Sequence, residues 1–158
     1  MIKSFLLCFC LASLCSCNTT TIYLVRHAEK ADSSRDPDLS SAGVSRANRL
    51  ATLLGNEHIQ AIFSTDFKRT IQTAIPLSDK MHLPVQLYSP DTLKAFANMI
   101  KHQQINTLVI GHSNSTISLL DALGLQHSVK TINDIDYFNF FKITKRLSGK
   151  LKLEELKY

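Results

Sequence analysis

The chain has 158 residues, 44% of them hydrophobic and 20% charged, which is enough for one domain with a sizeable core and the balance of an ordinary globular protein. The formal net charge of +5 is spread along the chain. That suits an anionic ligand or a membrane surface, but with no Lys/Arg run and no interleaved aromatics it argues against nucleic acid as a partner. All four cysteines, Cys8, Cys10, Cys15 and Cys17, lie at the start, so the remainder carries neither a catalytic thiol nor a disulfide.

Met1-Ile2-Lys3 gives a short positive start, Phe5 to Leu14 is almost wholly apolar, and small residues follow. This is the layout of a secretory signal, with an apolar stretch too short for a permanent membrane span. Leu14-Cys15-Ser16-Cys17 resembles a bacterial lipobox. The resemblance implies removal of residues 1–16, a diacylglyceryl group on the Cys17 sulfur, and a single domain over 17–158. Such a protein would be a lipoprotein of the bacterial cell envelope, anchored to a membrane on its periplasmic or extracytoplasmic side, each buried acyl methylene contributing ~0.8 kcal/mol. A plain secretory signal cleaved nearby, or an apolar N-terminal helix, is the simpler alternative.

From there the elements alternate. Residues 21–25 read as a strand and the polar stretch 28–40 as an exposed loop. Ser40-Ser41-Ala42-Gly43 opens a helix with an apolar stripe of Val44, Ala47, Leu50, Ala51 and Leu54, ending at Gly55. Residues 61–64 form a strand, and 68–81 a helix bent or interrupted at Pro76. A short strand is expected at 84–87, then a helix from Asp91, its N-cap, to about His102. Thr107 to Ile110 is the third core strand and Ser113 to Leu123 a helix. Residues 137–143 and 150–156 alternate about Ser148-Gly149 as two strands. Strand–helix alternation of this kind predicts an α/β three-layer sandwich, a mostly parallel central sheet with helices on both faces.

Two of the strands end on a histidine: Leu24-Val25-Arg26-His27 and Val109-Ile110-Gly111-His112. Ligands of open α/β sheets bind at the carboxyl ends of the strands. A third strand leads to Ser64 and Arg69. Neighbouring strands would therefore bring Arg26, His27, Arg69, His112 and Ser113 to one pocket. Arginine forks suit phosphate, helix N-termini add N–H donors, and a neutral imidazole can attack phosphorus. Taken singly, each has a bland reading: a strand-end pair satisfied by loop carbonyls, a solvated helix charge, or a cap. His58, His82, His102 and His127 share no spacing and read as surface residues.

Arg26-His27-Ala28-Glu29, with Asp36-Pro37 and Leu39-Ser40-Ser41-Ala42-Gly43, resembles the first segment of the histidine phosphatase, or phosphoglycerate mutase-like, superfamily. Ser64-Thr65-Asp66-Phe67-Lys68-Arg69-Thr70 is similar to its second segment and Gly111-His112-Ser113-Asn114 to its third. The resemblance covers roughly residues 20–125. It implies a phosphoglycerate mutase-like fold and hydrolysis through a phosphohistidine on His27. Arg26, Arg69 and His112 would complete the phosphate pocket, with no metal and no cofactor. The substrate would be a phosphorylated small molecule or phosphoprotein.

One role does not transfer. Many members protonate the leaving group with a Glu between the second and third segments, yet residues 70–111 contain only Asp79 and Asp91 as acids. Asp79 is expected on the outer helix face, leaving Asp91 and Glu29 as candidates. The compact chain resembles phosphohistidine phosphatase-type members and disfavours mutase activity. Two competitors remain: a metal hydrolase using His27 and His112, which the flanking arginines oppose, and a catalytically weak or inactive membrane-anchored phosphate-binding protein of the same fold.

Overall fold

A computed structural model describes residues 19–158. The expected signal segment 1–16 and Cys17 lie outside the described residues. Among the described residues no helix is long and apolar enough to cross a membrane.

The elements run β1 (Thr20–Arg26), α1 (Ser41–Leu54), β2 (Ile59–Ser64), α2 (Lys68–Met81), β3 (Val85–Leu87), a 3₁₀ turn (Pro90–Thr92), α3 (Leu93–His102), β4 (Asn106–Gly111), α4 (Ser113–Ala122), β5 (Asn139–Lys145) and β6 (Leu151–Lys157). The six strands form one sheet in the order β3-β2-β4-β1-β5-β6. β1, β2, β3 and β4 are parallel, β5 is antiparallel to β1, and β6 is antiparallel to β5. β1 and β4 lie side by side at the centre, Arg26 opposite Gly111, so the two histidine-bearing ends are adjacent.

Strand alternation sorts the core into two layers. Ile22 and Leu24 of β1 pack with Val109, Phe96, Ile100, Leu119 and Leu120 under α3 and α4. Tyr23 and Val25 face the other way, onto Leu50, Leu54, Ala74, Leu77 and Leu108 beneath α1 and α2. This is the three-layer α/β sandwich expected from the sequence.

Several local expectations need correction. α2 runs unbroken through Pro76. In α1 Ser40 is the N-cap, its hydroxyl accepting from Gly43 N–H, but Val44 is 49% exposed. The buried stripe takes in Gly43 and Arg46 instead, because the Glu29 carbonyl lies where a Cβ on residue 43 would sit. Asp91 does not cap α3: Ser89 accepts from Asp91 N–H to cap the 3₁₀ turn, and α3 starts only at Leu93. His58, His82 and His102 are exposed as expected. The His127 ring is buried, bonded to Val129 O at 2.7 Å and Asp121 at 3.1 Å.

Candidate active site

At the carboxyl ends of β1 and β4 a cavity of about 330 Å³ is lined by Arg26, His27, Lys30, Arg69, His112, Ser113, Asn114 and Asp134. The predicted Arg26, His27, Arg69, His112 and Ser113 thus share one wall system. His27 leaves β1 still bonded to its neighbour, its N–H donating to Gly111 O at 2.9 Å. The next amide, Ala28 N–H, donates to Thr73 Oγ1 on α2. This double tether fixes the backbone that carries the imidazole.

The His27 ring is oriented by its Nδ1, 2.7 Å from the Ala28 carbonyl. A carbonyl oxygen only accepts, so Nδ1 carries the hydrogen and Nε2 keeps its lone pair. Burial lowers the His27 pKa to about 3, and the charges of Arg26 and Arg69 and nearby His112 push the same way, against the carbonyl bond. At neutral pH this imidazole is a neutral base with a free lone pair.

His112 lies edge-on to His27, with ring centroids 5.4 Å apart. Burial lowers its pKa to about 4, assisted by Arg69 and Arg26 and opposed by Asp36. Its Nδ1 is 3.4 Å from Thr65 Oγ1, while Nε2 is buried without a partner. Arg26 Nε is also buried and unpartnered. Two unsatisfied buried nitrogens on the wall of one cavity leave hydrogen-bonding capacity that an oxyanion can take up.

Arg26 is only 3% exposed. Its Nη1 donates to Asn133 O at 2.6 Å and Asp136 O at 3.3 Å, and its Nη2 approaches Asp134 Oδ1 at 3.5 Å. The Tyr137 ring lies 4.5 Å beneath the guanidinium. Arg69, on the first turn of α2, donates to Arg35 O at 3.3 Å and lies 3.7 Å from Asp36. Phe67 sits under Arg69 at 4.6 Å and edge-on to His112 at 4.8 Å, positioning both. Phe67 has no side chain able to cap α2, and Asp36 from the 28–40 loop replaces it by accepting from Lys68 N–H at 2.9 Å.

Neither sequence candidate for the acid lines this cavity. The Glu29 carboxylate turns to α1, where Arg46 Nε lies 2.9 Å from both oxygens and Nη2 2.7 Å from one. Burial alone would raise its pKa, but the Arg46 bonds hold it below the usual carboxylate value. Asp91 is exposed on the 3₁₀ turn. The carboxylate that does line the cavity is Asp134, 87% exposed. Its loop has no apolar period, so Asp134, Tyr137 and the two carbonyls on Arg26 had no sequence signal. Phe67 had a weak one, lying inside the second segment. Ser64 is fully buried, donating to Thr65 O. Among the described residues no three His, Cys, Asp or Glu side chains are grouped to hold a metal ion.

Residues 22–89 match the model of the histidine phosphatase superfamily (branch 1). That segment, which holds Arg26, His27 and Arg69, is similar to the histidine phosphatase superfamily. Over 71 residues the chain is 38% identical to phosphoserine phosphatase 1 of Hydrogenobacter thermophilus, a match covering 40% of this chain and 34% of that relative's length. The fold is similar to that of the protein histidine phosphatase SixA complexed with tungstate, at a TM-score of 0.66 and 16% identity, covering 87% of this chain and 97% of that one. It is also similar to a mycobacterial glucosyl-3-phosphoglycerate phosphatase, at 0.69 and 12%, covering 88% and 99%. The two histidine-bearing strand ends of this histidine phosphatase-type fold meet in one cationic cavity, as the three sequence segments imply.

Proposed function

We propose that this chain is a metal-independent phosphatase that hydrolyses a phosphorylated substrate through a phosphohistidine on His27. One observation carries the reading: a buried, neutral imidazole with a free Nε2 lone pair stands among Arg26, Arg69 and His112 in one cavity. The names of the similar proteins, phosphatases of phosphoserine, protein histidine and a sugar phosphoglycerate, support the reaction class.

In the first half-reaction the Nε2 lone pair attacks phosphorus in line with the leaving group. The P–O or P–N bond breaks and its electron pair goes to the leaving atom. Arg26 and Arg69 meet the charge on the equatorial oxygens, and the unpartnered His112 Nε2 donates to one of them once Thr65 Oγ1 donates to Nδ1. Asp134 gives the leaving atom its proton. In the second half-reaction water attacks the phosphohistidine, the P–N pair returns to Nε2, and Asp134 takes the water proton.

A second reading, a weak or inactive phosphate-binding protein of the same fold, draws on the absence of Glu29 and Asp91 from the cavity. The experiment that separates them is incubation with p-nitrophenyl phosphate, alkaline quench and mass analysis of the His27 peptide, with chelator present. Transient phosphorylation and turnover, both lost in His27→Ala, support the enzyme. Tight vanadate binding without turnover supports the second reading, and loss of activity on chelation would sink the metal-independent mechanism.

For location we propose the lipid anchor at Cys17. β1 starts at Thr20 and runs towards the cavity, so an anchor at Cys17 holds the sheet by the end opposite the cavity mouth, within about 10 Å of chain. Release of the Cys17→Ser variant from the membrane fraction is the expected outcome; retention would refute the anchor.

A further inference from the structure

Beside the phosphoryl cavity lies a second one of about 310 Å³, and the two share Ser113 and Asn114 on the first turn of α4. Beyond that shared turn the second cavity is lined by Ile117, Ser118, Ile132, Thr131 and Lys130. Its apolar floor is anchored: Ile132 is buried in the α3–α4 core layer and Ile117 packs against the same cluster. An enclosed apolar cavity of about 150 Å³ holds a benzene ring, so this larger, open one has the volume for a ring-sized group. Lys130 is exposed and forms no ion pair among the described residues.

We infer that this second cavity is the leaving-group subsite. It takes a compact apolar body that ends in an anionic group paired with Lys130. The inference rests on the phosphatase reading above and narrows its substrate class to small phosphorylated compounds with a second acidic function. Continuity carries the assignment. A phosphoryl group held by Arg26, Arg69 and His112 must direct its leaving group out of the first cavity. Ser113 and Asn114 line both cavities, so the second concave surface adjoins the first at that turn. The two cavities divide the chemistry: several cations for a dianion in the first, an apolar floor with one cation in the second. A single ammonium at the rim selects charge, because an uncharged isostere gains the same apolar contact and no Coulomb attraction.

The test uses the full chain and three aryl phosphates: phenyl, 3-carbamoylphenyl and 3-carboxyphenyl phosphate. The last two match in size and differ in charge. The native protein is expected to prefer the carboxylate over the amide in kcat/KM. Lys130→Met should cut that preference ratio about tenfold, and Lys130→Glu should reverse it. The remote control is Lys101→Met, in the last turn of α3, which should keep the native ratio. An unchanged ratio in both Lys130 variants, or an equal drop in Lys101→Met, overturns the subsite while leaving the phosphatase reading intact. No turnover of any of the three overturns that reading, and the subsite with it.

Discussion

Arg26 and Arg46 are both nearly buried, at 3% and 8% exposure, yet their surroundings differ in kind. Arg46 is neutralised: Glu29 grips it through three short bonds and the Tyr158 carbonyl takes a fourth. Arg26 is held by two neutral carbonyls and a tyrosine face, with a single exposed carboxylate at 3.5 Å. A buried guanidinium without a full counter-charge is expensive unless a ligand supplies one. The fold therefore uses one arginine to pin α1 to the strand end and leaves the other's charge largely unmatched, as its proposed phosphate role requires. Glu29 sits two residues after the proposed nucleophile and still belongs to the structural arginine.

The comparison can be broken in four ways. Arg26→Met should lower kcat/KM for aryl phosphates by roughly 10²–10³ and weaken vanadate binding; an effect below tenfold would remove Arg26 from the phosphate site. Arg46→Met should instead cost about 2–3 kcal/mol in urea unfolding by stranding Glu29, with kcat/KM kept within about tenfold. A larger loss of activity than of stability would make Glu29 part of the chemistry.

The third way concerns protons. Burial and Arg69 keep the two site histidines neutral in the fold, with pKa values near 3 and 4 against 6.5 unfolded. The unfolded chain thus binds protons first, and stability falls as pH drops from about 6.5 towards 4. The loss by pH 5 should be about 2 kcal/mol from His27 and up to about 2 kcal/mol more from His112, less for its greater solvent screening. A flat urea midpoint over that range would contradict the buried neutral pair. The smallest effect is expected from Asp134→Asn, about tenfold in kcat/KM on phenyl phosphate and near nothing on p-nitrophenyl phosphate, whose leaving group needs little protonation. Equal losses on both would leave Asp134 an electrostatic role alone.

Much of this was legible in residue order. β1 and β4 announce themselves as apolar runs stopped by a histidine, and their pairing follows from the parallel sheet. Arg69 was found through its segment, since a lone helix arginine carries no signal. Glu29 and Asp91 lie outside the cavity for different reasons: Glu29 is bound by Arg46, 17 residues on in α1, and Ser89-Pro90 favours a 3₁₀ turn that moves the start of α3 to Leu93. The 133–137 segment was invisible because its role is a contact made more than 100 residues away in the chain.

That distance also sets when the site comes into being. The carbonyls of Asn133 and Asp136 reach Arg26 across 107 and 110 residues of chain, and the segment that carries them leads directly into β5, which pairs with β1. Closing so long a loop is slow and comes late among folding events. In refolding, most helical signal should return before the capacity to bind vanadate does, so competence for the ligand marks the last stage of assembly.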